Sequence, residues 1–90
     1  MTPRITISLN QDGTLELFVN EAGRDELVAR VSELSTEHDH IHLMPSEFSS
    51  DCCLSQIPYR ATDKVISFAK IILRSDAWDE EHYPHVMETD

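Results

Sequence analysis

Residues 4–9 alternate cleanly, with Ile5, Ile7 and Leu9 on one side and Arg4, Thr6 and Ser8 on the other. That is the period of a half-buried strand. Asn10-Gln11-Asp12-Gly13 follows, and Asp-Gly between two alternating runs is a strong hairpin signal. Alternation resumes with Leu15, Leu17 and Val19 against Glu16 and Phe18, so the chain is expected to open with a β-hairpin. Asn20 suits a helix N-cap, and Glu21 places a negative charge in the first turn, where the helix dipole favours it. Leu27, Val28, Val31 and Leu34 then recur at helical spacing, which predicts a helix from about Ala22 to Ser35. Gly23 is its early weak point, and Glu26 and Arg30 are spaced for an i,i+4 ion pair.

His40-Ile41-His42-Leu43-Met44 reads as a short strand closed by Pro45, and residues 46–55 are polar and turn-rich. Residues 52–60 carry only a poor strand pattern. Residues 62–74 are ambiguous: Val65, Ile66, Phe68, Ala69, Ile72 and Leu73 fit a helical stripe capped by Thr62. Their β-branched and aromatic content fits a strand equally well, and periodicity alone leans slightly to the helix. After Ser75 no period is visible.

The charge changes the picture more than the composition does. Ninety residues make one domain, and 40% hydrophobic with 27% charged residues is ordinary for a globular chain. Seventeen acids against seven Lys and Arg, however, give a net charge of −10. Such a surface repels nucleic acid and anionic lipid and attracts basic proteins. Residues 75–90 hold −6 of that charge, through Asp76, Asp79, Glu80, Glu81, Glu88 and Asp90, with no Lys or Arg. No long apolar run or signal-peptide core is present, so the expected location is cytoplasmic. The adjacent Cys52 and Cys53 are too close for a relaxed disulfide with each other and are expected as reduced thiols.

Three segments carry a resemblance: Ile7-Ser-Leu-Asn-Gln-Asp-Gly13, Val19-Asn-Glu-Ala-Gly23, and Asp39-His-Ile-His-Leu-Met-Pro45 followed by Glu47 and Phe48. Together they resemble the immunity protein 32 family, found beside toxins in bacterial polymorphic toxin systems. The resemblance covers about residues 4–74, and the histidine-bearing strand is its most specific piece. Phe48 stands where the family is expected to carry Trp, and the Cys52-Cys53 pair is peculiar to this chain. The resemblance implies a strand over residues 66–73, against the narrow helical preference of the local pattern. It also implies a binding protein without a catalytic site, partnered by a cognate toxin.

Two constellations invite other chemistry. His38, His40 and His42 would share one face of a strand, and with Cys52 and Cys53 they suggest an alternative: a small metal- or redox-responsive module. No C-x-x-C pair accompanies them, and no metal or cofactor is expected. A Cys–His nucleophile pair lacks any recognisable oxyanion turn, and with only Gly13 and Gly23 no phosphate-cradling glycine loop can be built.

The expected fold is α+β: a small antiparallel sheet of about four strands, N-terminal hairpin first, with one helix packed on one face. Ile5, Ile7, Leu9, Leu15, Leu17 and Val19 would line the inner face beneath Leu27, Val31 and Leu34. Residues 1–75 form the immunity-type domain and 76–90 an acidic C-terminal tail. The expected function is stoichiometric neutralisation of a cognate toxin, with a basic nuclease favoured by charge. Partner contacts are assigned to Glu47, Phe48 and Asp51 in the polar loop and to Trp78, Asp79, Glu80, Glu81 and Tyr83 in the tail, where aromatics set among carboxylates suit a hot spot. The same tail also reads as a solvated terminus that keeps the chain soluble.

Overall fold

Asn10 organises the first turn of the computed structural model, which describes residues 1–88. Its side-chain oxygen accepts from the N–H groups of Asp12 and Thr14, both at 2.9 Å, while Gly13 takes a left-handed φ of 85°. The turn joins β1 (Ile5–Leu9) to β2 (Leu15–Val19), antiparallel from Ile5↔Val19 to Leu9↔Leu15.

Asn20 caps α1 (Glu21–Ser32) as expected: its Oδ1 accepts from Gly23 N–H at 2.7 Å. The same oxygen accepts from Arg4 N–H at 2.9 Å, and its amide donates to the Thr2 carbonyl, so one side chain joins the helix start to the chain entering β1. Gly23 is not a weak point. A Cβ there would lie 2.3 Å from the Arg4 carbonyl oxygen, so glycine is what lets α1 seat against the hairpin. The helix ends at Ser32 rather than Ser35, and Arg30 pairs with Glu33 (3.5 Å) in place of the expected Glu26.

The remaining elements are β3 (His40–Met44), β4 (Cys52–Cys53), β5 (Lys64–Val65), β6 (Ala69–Ile72) and α2 (Asp76–His82). They build two three-stranded sheets, β2-β1-β5 and β4-β3-β6, instead of one sheet of about four strands. The α+β class holds. Of residues 66–73, where the resemblance implied one strand, only Ala69–Ile72 form it. Residues 66–68 belong to no strand and separate β6, which pairs with β3, from β5, which pairs with β1, so the segment serves both sheets. Leu54 bridges Ile5 on the same edge of β1, while its N–H donates to the Met44 carbonyl (2.8 Å). Two segments thus fork from β1 and straddle β3, and the core lies in the fork: Ile5, Ile7, Ile41, Leu43, Cys52 and Leu54.

The helical and apolar faces are used less than expected. Leu27 and Leu34 pack against the core, but Val31 is exposed. Leu9, Leu15, Leu17 and Val19 are exposed too, because α1 covers only part of the apolar face. The hairpin's other face, by contrast, is covered. Tyr59 stacks on Phe18 at 4.0 Å, Arg60 pairs with Glu16, and Thr6 and Ser8 are buried. Residues after Ser75, which showed no period, form α2 and a 3-10 turn at Pro84–Met87; Asp90 of the acidic tail lies outside the described residues.

Candidate protein-binding surfaces

Ser75 starts α2 by accepting from Trp78 N–H at 3.1 Å, the expected work of an N-cap serine. Trp78 then sits 4.3 Å below the Arg74 guanidinium, with His82 and Tyr83 rings at 4.3 and 5.5 Å. Arg74 in turn donates to Asp39 (3.0 Å), just ahead of β3, so a cation holds the helix against the sheet. The His40 ring donates to the other Asp39 oxygen at 2.8 Å. That hydrogen bond, helped by Arg74, holds the Asp39 carboxyl below the usual carboxylate range. Trp78 and Asp79 are half-buried; Glu80, Glu81 and Tyr83 point into solvent.

The polar loop behaves differently. Parallel strands ordinarily need a crossover of a dozen residues or more, yet β3 and β4 pair in parallel after only residues 45–51. A 3-10 turn at Ser46–Phe48 and a left-handed Ser49 (φ 52°) reverse the chain. Two side chains then stand in for ladder partners: Asp51 accepts from His42 N–H (2.8 Å), and Ser50 Oγ accepts from Met44 N–H (3.2 Å) and donates to the Cys52 carbonyl (2.6 Å). Asp51, expected as a partner contact, is therefore a brace for the edge of β3. Glu47 is exposed, and Phe48 packs edge-on to Phe68 at 5.2 Å with about half its surface open (51%).

The strand between these two sites relates them. His40, His42 and Met44 point outward while Ile41 and Leu43 enter the core, and the β6 register sets Ile72 opposite His40 and Lys70 opposite His42. One exposed face thus runs from Trp78, Arg74 and Asp39 through the histidines to Phe68 and Phe48. The structure brings the two predicted groups to opposite ends of that face and leaves Asp51 out of it. Sequence reasoning missed the β6 contribution, Phe68, Lys70 and Ile72. The period-2 pattern of residues 40–44 was a usable signal for the β3 half only.

The same geometry separates the histidines from one cysteine. His40 and His42 rings lie 5.0 Å apart on the outer face, His38 sits in the turn before β3, and Cys52 points into the core. Burial, together with the nearby Glu26 charge, pushes the Cys52 thiol up to about 11, while Cys53 is exposed. Among the described residues no three His, Cys, Asp or Glu side chains converge as metal ligands, and no helix is long and apolar enough to cross a membrane. No protein-family model, curated protein or solved structure matches the chain.

Proposed function

We propose that the chain is an immunity-type protein that binds a cognate bacterial toxin one to one and silences it by occlusion, with no catalytic step of its own. One observation carries this reading: Phe48, against Phe68, and Trp78, against Arg74, stand at the two ends of an open face on β3 and β6. An open face of half-exposed aromatics with a carboxylate-rich helix at its end suits a protein surface better than a small molecule, which needs a concave site. The net charge of −10 selects a basic partner and speeds its approach, and a nuclease toxin is the class that fits. The resemblance to the immunity protein 32 family points the same way. The protein would act in the cytoplasm of the cell that makes the toxin, and Trp78, Tyr83 and Phe48 are its anchors, with Asp79, Glu80, Glu81 and Glu47 steering.

The test uses the protein encoded directly beside this chain. Equimolar addition should abolish its toxicity and its activity. Association should slow as salt rises, and neutralising Asp79, Glu80 and Glu81 should flatten that dependence. Trp78→Ala should act on the off-rate, by about 1 kcal/mol or more for a buried anchor. A neighbour whose toxicity is untouched by an equimolar amount of this chain refutes the reading.

A further inference from the structure

The unused resource of this fold is the outer edge of β2. Asn20 N–H donates to the Arg4 carbonyl and Asn10 N–H donates to the Thr14 carbonyl, which fixes the hydrogen-bonded pairs with β1 at the even residues of β2. Leu15, Leu17 and Val19 therefore point their N–H and C=O groups away from β1. No other strand among the described residues pairs with that edge. Edge strands are usually blunted by a Lys, a Pro, a bulge or a covering segment. The free edge of β6 carries Lys70; β2, Leu-Glu-Leu-Phe-Val, carries none of these. Its one charge, Glu16, points to the other face and is held by Arg60.

The exposed area argues in the same direction. The chain has 6475 Å² of accessible surface, against about 5,400 Å² expected for a folded monomer of 10.3 kDa. Its radius of gyration is 15.3 Å, against about 12 Å for a chain of this length. The surplus area is comparable to the roughly 800 Å² that each partner gives to a stable interface. Leu15 (58% exposed), Leu17 (50%) and Val19 (40%) sit at this edge, beside an uncovered apolar groove of about 320 Å³ lined by Ile7, Ile66, Ala69 and Ile71.

We propose that β2 is the interface between two copies of this chain, which pair antiparallel through its outer edge with Leu17 on Leu17. The strand is self-complementary in that register. Leu15 meets the partner copy's Val19 on the apolar face, Glu16 meets Phe18 on the other, and no like charges stand directly opposite one another. A two-fold axis at Leu17 closes the pairing, so it stops at a dimer with a continuous six-stranded sheet. Long-range repulsion between two chains of −10 makes this association tighten with added salt, the opposite of the toxin encounter.

Sedimentation equilibrium over a concentration series should give twice the 10.3 kDa chain mass at the upper end. Leu17→Lys places two like charges face to face across the axis and should return a monomer with an unchanged circular dichroism spectrum. A second variant fixes the register. In a hydrogen-bonded antiparallel pair the Cα atoms lie about 5.5 Å apart, within disulfide range. In a Cys53→Ser background, Leu17→Cys should therefore cross-link two chains under mild oxidation, and Leu15→Cys should not. A chain that stays monomeric at every concentration, a dimer that survives Leu17→Lys, or cross-linking through position 15 instead of 17 overturns the proposal.

Discussion

The two strands of the hairpin carry the same alternating pattern and meet opposite fates. Ile5, Thr6, Ile7 and Ser8 of β1 are all buried, polar and apolar alike, whereas Leu15, Leu17 and Val19 of β2 are all exposed. Ile7 and Leu17 are direct cross-strand partners, yet one is 5% and the other 50% exposed. Alternation assigns a side chain to a face; what covers the face is decided by distant segments. β1 is the central strand of its sheet, paired with β2 on one side and with β5 and Leu54 on the other, whereas β2 is an edge strand.

The largest effect should come from truncating that pair separately. Ile7→Ala removes a buried branched side chain and should cost about 2–5 kcal/mol, enough to threaten a domain of this size. Leu17→Ala should cost under about 1 kcal/mol in dilute protein, where the chain is monomeric, because half of the side chain is already wet. Urea denaturation of both variants at low concentration measures the difference. Equal losses would mean that β2 is covered in the monomer and that the contrast between the strands is wrong.

Next comes the junction that holds α1 to the hairpin. Gly23→Ala puts a methyl group 2.3 Å from the Arg4 carbonyl oxygen, a rigid backbone atom, and should cost about 1–3 kcal/mol even though alanine is the better helix former. Thermal unfolding reads this directly, and a stabilised Gly23→Ala would show that the helix is free to shift away from β1.

A smaller change, of opposite sign, is expected on the covered face of β1. Thr6 Oγ1 and Ser8 Oγ are buried with no hydrogen-bond partner among the described residues. Thr6→Val keeps the shape, removes the unpaired hydroxyl and should stabilise by about 1 kcal/mol. A loss of stability in a denaturation curve would mean that the hydroxyl has a partner in solution, a water under the 55–63 loop being the simplest.

These contrasts mark what the residues announce. The hairpin, the Asn20 cap and the inward Ile41 and Leu43 were legible because each rests on neighbours in sequence: a Gly at positive φ, an amide three residues before its donor, a period of two. The role of Gly23 was not, since the atom that forbids a Cβ belongs to Arg4. Asp51 looked like a solvent-facing loop acid because its partner, His42 N–H, is nine residues away. The tail hid α2 because its seven residues of helix bury no stripe of their own and are held from outside by Arg74. Of the candidate surface, the residue types were readable, but their alignment along one face depended on the β3–β6 register.

That last dependence sets the finest prediction, the attachment of α2. Arg74 links Asp39 to the ring of Trp78, the only tryptophan, so the indole reports on the joint. Arg74→Ala should red-shift and broaden Trp78 emission while leaving the melting temperature nearly unchanged, because the pair is solvent-exposed and contributes little to global stability. The joint should also respond to acid. The Asp39 carboxyl is held below its ordinary value of 3.8, first by His40 and then by Arg74, so its contribution is complete above about pH 4 and is lost as pH falls through the depressed value. Trp78 emission should therefore shift below pH 4 in the native chain, and Asp39→Asn should show the shifted emission already at neutral pH. A tryptophan spectrum indifferent to both substitutions would detach α2 from the sheet, and with it the idea that its carboxylates and the β3 face meet a partner as one surface.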